Sequence, residues 1–225
     1  MKFKIALAGA FLAASSVASA GVIDFPSLIE DPVSGLGESA WTTLSVTDPL
    51  SGVSLTLDAG YMDANGNEQD AFVYLDWGNA GVGVCKSLNG SKSVDTAYTG
   101  SGSNTCDPGS DDNVTGATGT SADWYEFLDI TFDQAAGITF TLNNNHDGGF
   151  DPGTSYAIFD GATVLAANYG QITYEMNVDA GQTIRLQYGN EQFYLDSITV
   201  PEPAMFSLLG LGLLGFGFAR RARKA

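Results

Sequence analysis

Between Gly21 and Val200 the apolar residues recur at every second position, and any fold of this chain has to satisfy that alternation. In "EFLDITF", Leu128, Ile130 and Phe132 share one face, with Phe127, Asp129 and Thr131 opposite. "GITFTL" repeats the pattern with Ile138, Phe140 and Leu142. "ITYEMNV" does so with Ile172, Tyr174, Met176 and Val178, and "TIRLQY" with Ile184, Leu186 and Tyr188. A period of two places alternate side chains on opposite faces of an extended strand, whereas a helix needs a period of 3.6. "WTTLSV", "VSLTLD", "AFVYLDW" and "SYAIFD" are further candidates, and Gly, Asn, Asp or Pro turn residues end each run. About nine or ten short strands with no helix between them predict an all-β domain over residues 21–200, an antiparallel β-sandwich or jelly roll.

One stretch breaks the alternation. Residues 78–120 are rich in Gly, Ser, Asn and Asp and show no obvious strand. Ordinary loops rarely exceed about 15 residues, so this reads as a long irregular insertion. A linker between two small domains is the alternative. Both cysteines, Cys85 and Cys106, lie inside it. In an exported chain an even count argues for one disulfide, here stapling the insertion. Closing a loop of about 20 residues stabilises by roughly 3 kcal/mol in the chain-entropy account.

The export argument comes from the N-terminus. Lys2 and Lys4 precede an apolar run from Ile5 to Ala14, and Ala18-Ser19-Ala20 is a small-residue cleavage site. Residues 1–20 therefore read as a signal peptide, cut by signal peptidase between Ala20 and Gly21. The apolar run is shorter than the roughly 20 residues of a spanning helix, which argues against an uncleaved anchor.

Charge narrows the partners. The net charge is −17, yet six of the nine basic residues flank the two ends. Between Asp24 and Glu202 only Lys86, Lys92 and Arg185 stand against all 26 acidic residues, so that span carries −23. Such a surface repels nucleic acid and anionic membranes and attracts divalent cations or basic partners. With aromatics at 11%, the segment can still bury a core, which excludes disorder.

The chain closes with "VPEPAMFSLLGLGLLGFGFARRARKA". Pro201 and Pro203 keep the segment around Glu202 extended. Residues 204–219 carry no charge, and as a helix they span about 24 Å. That falls short of a hydrocarbon core of about 30 Å, a gap that snorkelling by Arg220 closes. Arg220, Arg221, Arg223 and Lys224 then keep the C-terminus cytoplasmic and the acidic domain outside. Five glycines in the stretch argue against a buried core helix in water.

These three parts, in this order at the C-terminus, resemble the PEP-CTERM sorting signal of exported proteins of Gram-negative bacteria. The resemblance covers residues 200–225 and rests on Pro201, Glu202, Pro203, the Gly/Leu-rich transmembrane helix and Arg220, Arg221 and Arg223. It implies processing by an exosortase, a membrane-embedded transpeptidase-like protease, and a setting of exopolysaccharide and biofilm production. It implies nothing about residues 21–200, because the signal is attached to many unrelated domains.

For that middle the residues point away from catalysis. His146 is the only histidine and no G-x-S-x-G elbow accompanies it. Two loops, "DANGNEQD" (63–70) and "DPGSDDN" (107–113), are rich in the oxygen ligands that calcium takes, and neither is an EF-hand. Ordinary turn chemistry accounts for either loop alone. Asp196 sits in the final strand, "QFYLDSITV". If Tyr194, Ile198 and Val200 face the core, Asp196 is a buried carboxylate that needs a partner or a metal. If Phe193, Leu195, Ser197 and Thr199 do, it lies in solvent. Calcium, through Asp107, Asp111, Asp112, Asn113 or Asp196, is thus the one candidate cofactor. The expectation is an exported, non-catalytic surface or extracellular-matrix protein, periplasmic, cell-surface or extracellular after processing. A carbohydrate-binding module is the alternative, testable by whether Trp41, Trp77 and Trp124 are exposed for stacking on sugars. A glycan hydrolase with two facing carboxylates is a more remote one.

Overall fold

The computed structural model describes residues 21–31, 35–89, 93–97, 106, 113–117, 124–144, 155–169, 173–190 and 192–201. In chain order the first elements are β1 (Gly21–Asp24), α1 (Phe25–Glu30), β2 (Ser39–Trp41), β3 (Leu44–Thr47), β4 (Ser54–Met62), β5 (Glu68–Asp76), β6 (Gly81–Cys85) and β7 (Gly116–Ala117). They are followed by β8 (Trp124–Phe132), β9 (Ala136–Asn143), β10 (Ser155–Asp160), β11 (Thr163–Tyr169), β12 (Thr173–Val178), β13 (Thr183–Tyr188) and β14 (Tyr194–Val200). The alternating runs read from the sequence fall on these strands.

All strand pairings among the described residues are antiparallel; the main path is β11-β10-β13-β8-β4-β5-β6-β14-β9-β12, and β1 pairs with β14, β2 with β5, β3 with β4 and β7 with β8 beside it. Strand β5 joins two halves. Its first part, Glu68 to Ala71, pairs with β4, and its second part, Phe72 to Asp76, pairs with β6. The sheet curls at this strand, and both halves drain their apolar faces into one core. Leu57, Leu128, Ile130 and Ile184 come from one half; Val73, Val82, Leu195 and Ile198 come from the other; all are fully buried. Ring contacts cross between halves, Phe132 with Phe140 at 6.4 Å and Tyr156 with Phe193 at 5.8 Å.

Strands β1, β6, β7 and β11 and helix α1 were not read from the sequence. The 78–120 stretch, expected to lack strands, contributes β6, whose five residues "GVGVC" are all buried. A strand covered on both faces has no polar side to alternate with, so period-two patterning cannot mark it. Helix α1 is the one helix among the described residues, in a segment with no helical period. Asp24 caps it by accepting from the Ser27 amide at 3.0 Å, and Pro26 occupies its first turn. Phe25 and Ile29 bury its inner side.

Cys85, at the end of β6, is joined to Cys106 by a disulfide, as the sequence predicts, with Cα atoms 5.7 Å apart. Among the described residues Arg185 offsets charge on the β4–β8–β13 face. There Asp58 and Asp129 stand directly opposite one another, and Arg185 is the partner of Asp129 on the other side. Its Nε and Nη2 donate to the two Asp129 oxygens at 2.8 Å each, Nη1 reaches Glu68 at 2.5 Å, and the guanidinium lies 3.5 Å over Phe127.

Two stability outcomes follow. Arg185→Ala leaves three carboxylates facing each other and should cost about 2 kcal/mol, while Arg185→Lys, which cannot form the fork, should recover less than half of it. Reducing the disulfide should cost about 3 kcal/mol and preserve the β-type circular dichroism, because the core strands pair without the staple. Chemical unfolding of each form checks both.

Candidate functional site

Strand β1 lies antiparallel against β14, with Gly21 opposite Val200 and Asp24 opposite Ser197. Gly21 and Ile23 point inward, and Val22 and Asp24 outward. The chain leaves β14 at Pro201, which is exposed and cannot extend the ladder because it has no N–H. The residue after the predicted signal cleavage and the first residue of the Pro-Glu-Pro tripeptide therefore sit side by side at one corner. Residues 1–20, with Ala20, lie outside the described residues. So do Glu202, Pro203, the expected helix 204–219, and Arg220, Arg221 and Arg223. Among the described residues no helix is long and apolar enough to cross a membrane.

Next to this corner α1, the β5–β6 turn and β14 enclose an open cleft of about 910 Å³. Asp24, Glu30, Asp31 and Asp196 line it, with Gly78 and Asn79 of the turn. Glu30 Oε1 accepts from the Gly78 and Asn79 amides at 3.0 and 2.7 Å, and so ties the turn to the helix. Asn143 Nδ2 donates to Asp196 Oδ1 at 2.9 Å and to the Ala80 carbonyl at 2.7 Å. Asp24 is the helix cap. Asp24, Glu30 and Asp196 thus each have structural hydrogen-bonding work.

Neither of the two strand faces considered for Asp196 is the observed one. The pairing of β14 with β9 slips between Leu195 and Ser197, so Asp196 is the extra residue of a bulge. Tyr194, Leu195, Ile198 and Val200 are all buried, while Asp196 is half-exposed at the cleft. Gly81 makes room for the bulge. It has a φ of +117°, and a Cβ there would press on the Leu195 carbonyl and the Asp196 Cα. Asp196 is therefore not a buried charge that demands a metal.

Of the other calcium candidates, Asp107, Asp111 and Asp112 lie outside the described residues. Asn113 is buried, and its carbonyl receives the Val84 amide at 3.4 Å. Among the described residues no group of three or more His, Cys, Asp or Glu is placed to hold a metal. In the 63–70 loop Asp63 Oδ1 accepts from the Asn65 and Asn67 amides at 2.9 Å each, an Asx-type hairpin turn. The Asn67 amide holds its carboxyl below the usual carboxylate range.

His146 is outside the described residues. All three tryptophans are half-buried. Trp41 and Trp77 pack against the core, and Trp41 Nε1 donates to Ser39 Oγ at 2.9 Å. Lys86 covers Trp124, its ammonium 3.2 Å from the ring centroid. The same Lys86 lies 3.5 Å from Glu126, whose side chain is wholly buried and accepts from the Thr115 amide at 3.0 Å. Sequence reading did not find this buried pair, nor Glu30, nor a buried Asp48. Nothing in a string of residues separates a carboxylate tucked beneath the surface from one in solvent.

A family model for the PEP-CTERM protein-sorting motif matches residues 199–224, which begins on the last two residues of β14. No curated protein and no solved structure matches the chain. The chain thus carries, from the end of its last strand onward, a segment that matches the PEP-CTERM protein-sorting motif, while residues 21–198 match no family.

Proposed function

We propose that this is an exported, non-catalytic surface or matrix protein, freed from two apolar ends after Ala20 and near Pro201-Glu202-Pro203. The PEP-CTERM motif supports export to the cell envelope or surface and processing by an exosortase. The observation that carries the reading further is the Gly21–Val200 pairing. With both junctions at one corner, the signal peptide and the C-terminal helix can reach the same membrane together. Basic residues at both outer ends favour a cytoplasmic side for each. We read the curled sheet as a sandwich of the jelly-roll kind, since its two halves share one core. An exopolysaccharide and biofilm setting belongs to the same proposal.

The alternatives find less support. Sugar stacking needs open aromatic faces, and the tryptophans are packed or covered. A glycosidase needs a raised general acid facing a second free carboxylate, and the cleft carboxylates Asp24, Glu30 and Asp196 accept hydrogen bonds that hold the fold. Calcium stays in the proposal as a stabiliser drawn by the −23 between Asp24 and Glu202, through the 107–113 loop or Asp196.

Intact-mass spectrometry of the exported protein should show the loss of residues 1–20 and of the apolar tail. A mature form that keeps residues 206–225 would make the tail a permanent anchor and refute the release. Thermal unfolding of the same protein should rise by several degrees in millimolar calcium and not in magnesium, since binding at a hundredfold over Kd adds about 2.7 kcal/mol. Equal melting in chelator, calcium and magnesium removes calcium from the account. Asp111→Asn and Asp196→Asn assign a selective rise to one ligand.

A further inference from the structure

Asp48 lies in the turn between β3 and β4, and only 1% of it is exposed. Its Oδ1 accepts from the Leu50 amide at 3.3 Å, and its Oδ2 from the Ser51 amide at 2.6 Å. Burial would push the carboxyl pKa up, but the Ser51 hydroxyl and the two amides outweigh it and hold it below the usual carboxylate range. A buried carboxylate that stays ionised calls for a counter-charge. Among the described residues the ion pairs belong to Lys86 and Arg185, and none reaches Asp48.

The neighbour that Asp48 does have is Gly21. A Cβ built on Gly21 would overlap Asp48 Oδ2 outright and come within 2.9 Å of Ser51 Oγ. Glycine is therefore the residue this position can hold, and the carboxylate occupies the place of its missing side chain. A Cβ position lies roughly 2.5 Å from its own backbone nitrogen, so the Gly21 nitrogen is within about 4 Å of that carboxylate oxygen. In the uncut chain this nitrogen is a neutral amide. Hydrolysis of the Ala20–Gly21 bond gives the water's hydroxyl to the Ala20 carbonyl carbon, and the departing nitrogen takes up protons to become an ammonium.

We propose that Asp48 is the built receptor for the α-ammonium that signal-peptide removal creates at Gly21, so that maturation itself fastens β1 to the β3–β4 turn. The pair joins the half of the sheet that carries β1 and β14 to the half that carries β3 and β4. It rests on the reading that cleavage falls after Ala20. It needs no other partner: the ligand is this chain's own new terminus.

The test uses the exported protein, with Asp48 or with Asp48→Asn, and with the Gly21 amine free or selectively acetylated. Acetylation should lower the folding equilibrium constant about tenfold in the Asp48 protein and less than twofold in Asp48→Asn, one pKa unit of coupling being a factor of ten. Equal losses in both backgrounds, or no loss in the first, would overturn the pairing. Should Asp48→Asn not fold, NMR titration of the labelled Gly21 amine in the unsubstituted protein decides. It should titrate above the ordinary α-amine range of roughly 7.7–8.0, and a value within that range overturns the proposal. N-terminal sequencing separates the two ways to fail. A start at any residue but Gly21 sinks the cleavage reading and the pair with it, whereas a start at Gly21 without coupling sinks the pair alone.

Discussion

Everything at the working end of this protein depends on how β14 is held. It is the last strand of the chain, yet it sits inside the sheet: β9 runs along one edge, and β6 and then β1 occupy the other. Its partners come from the beginning, middle and later parts of the chain, so the pairing is entirely non-local. A sheet of this kind closes only when its last strand has arrived, and non-local β pairing is intrinsically slow. The sorting segment follows β14 with no spacer.

The second constraint is charge. Residues 21–201 carry many acids and three bases, and the two bases with a described environment are both engaged internally. Lys86 serves the buried Glu126, and Arg185 serves Asp129 and Glu68. What faces solvent is therefore acid with little relief, which favours solubility and distance from anionic headgroups over adhesion to them. In that context one further cation carries weight. The ammonium made at Gly21 would bring a positive charge to the corner that holds Asp24 and Asp48.

How far the sequence could be read follows the same physics. Strands with one wet face were legible because alternation is the direct image of that face: β8, β9 and β13 appear where Leu128, Phe140 and Leu186 mark them. Strand β6 was not, because both of its faces are covered and three of its five residues are glycine or cysteine. Helix α1 has a readable cap in Asp24 and Pro26, but six residues are too few to display a period. For Asp196 neither face assignment survives, since a bulge breaks the period-two rule on which both were built. The sorting motif was legible because it is a fixed order of residue types, which a sequence shows directly. The cleft and Asp48 were not, because burial of a carboxylate is a property of what packs over it.

The claim on which the account turns is that the first and last strands of the domain lie together. Cross-strand NOEs measure this directly in the exported protein. In an antiparallel pair the facing backbones lie about 4.5–5.5 Å apart, well within range. The account requires NOEs between Val22 and Thr199 and between Asp24 and Ser197, with slow amide exchange across residues 21–24. Fast exchange in that segment, with no contact to residues 197–200, would contradict it.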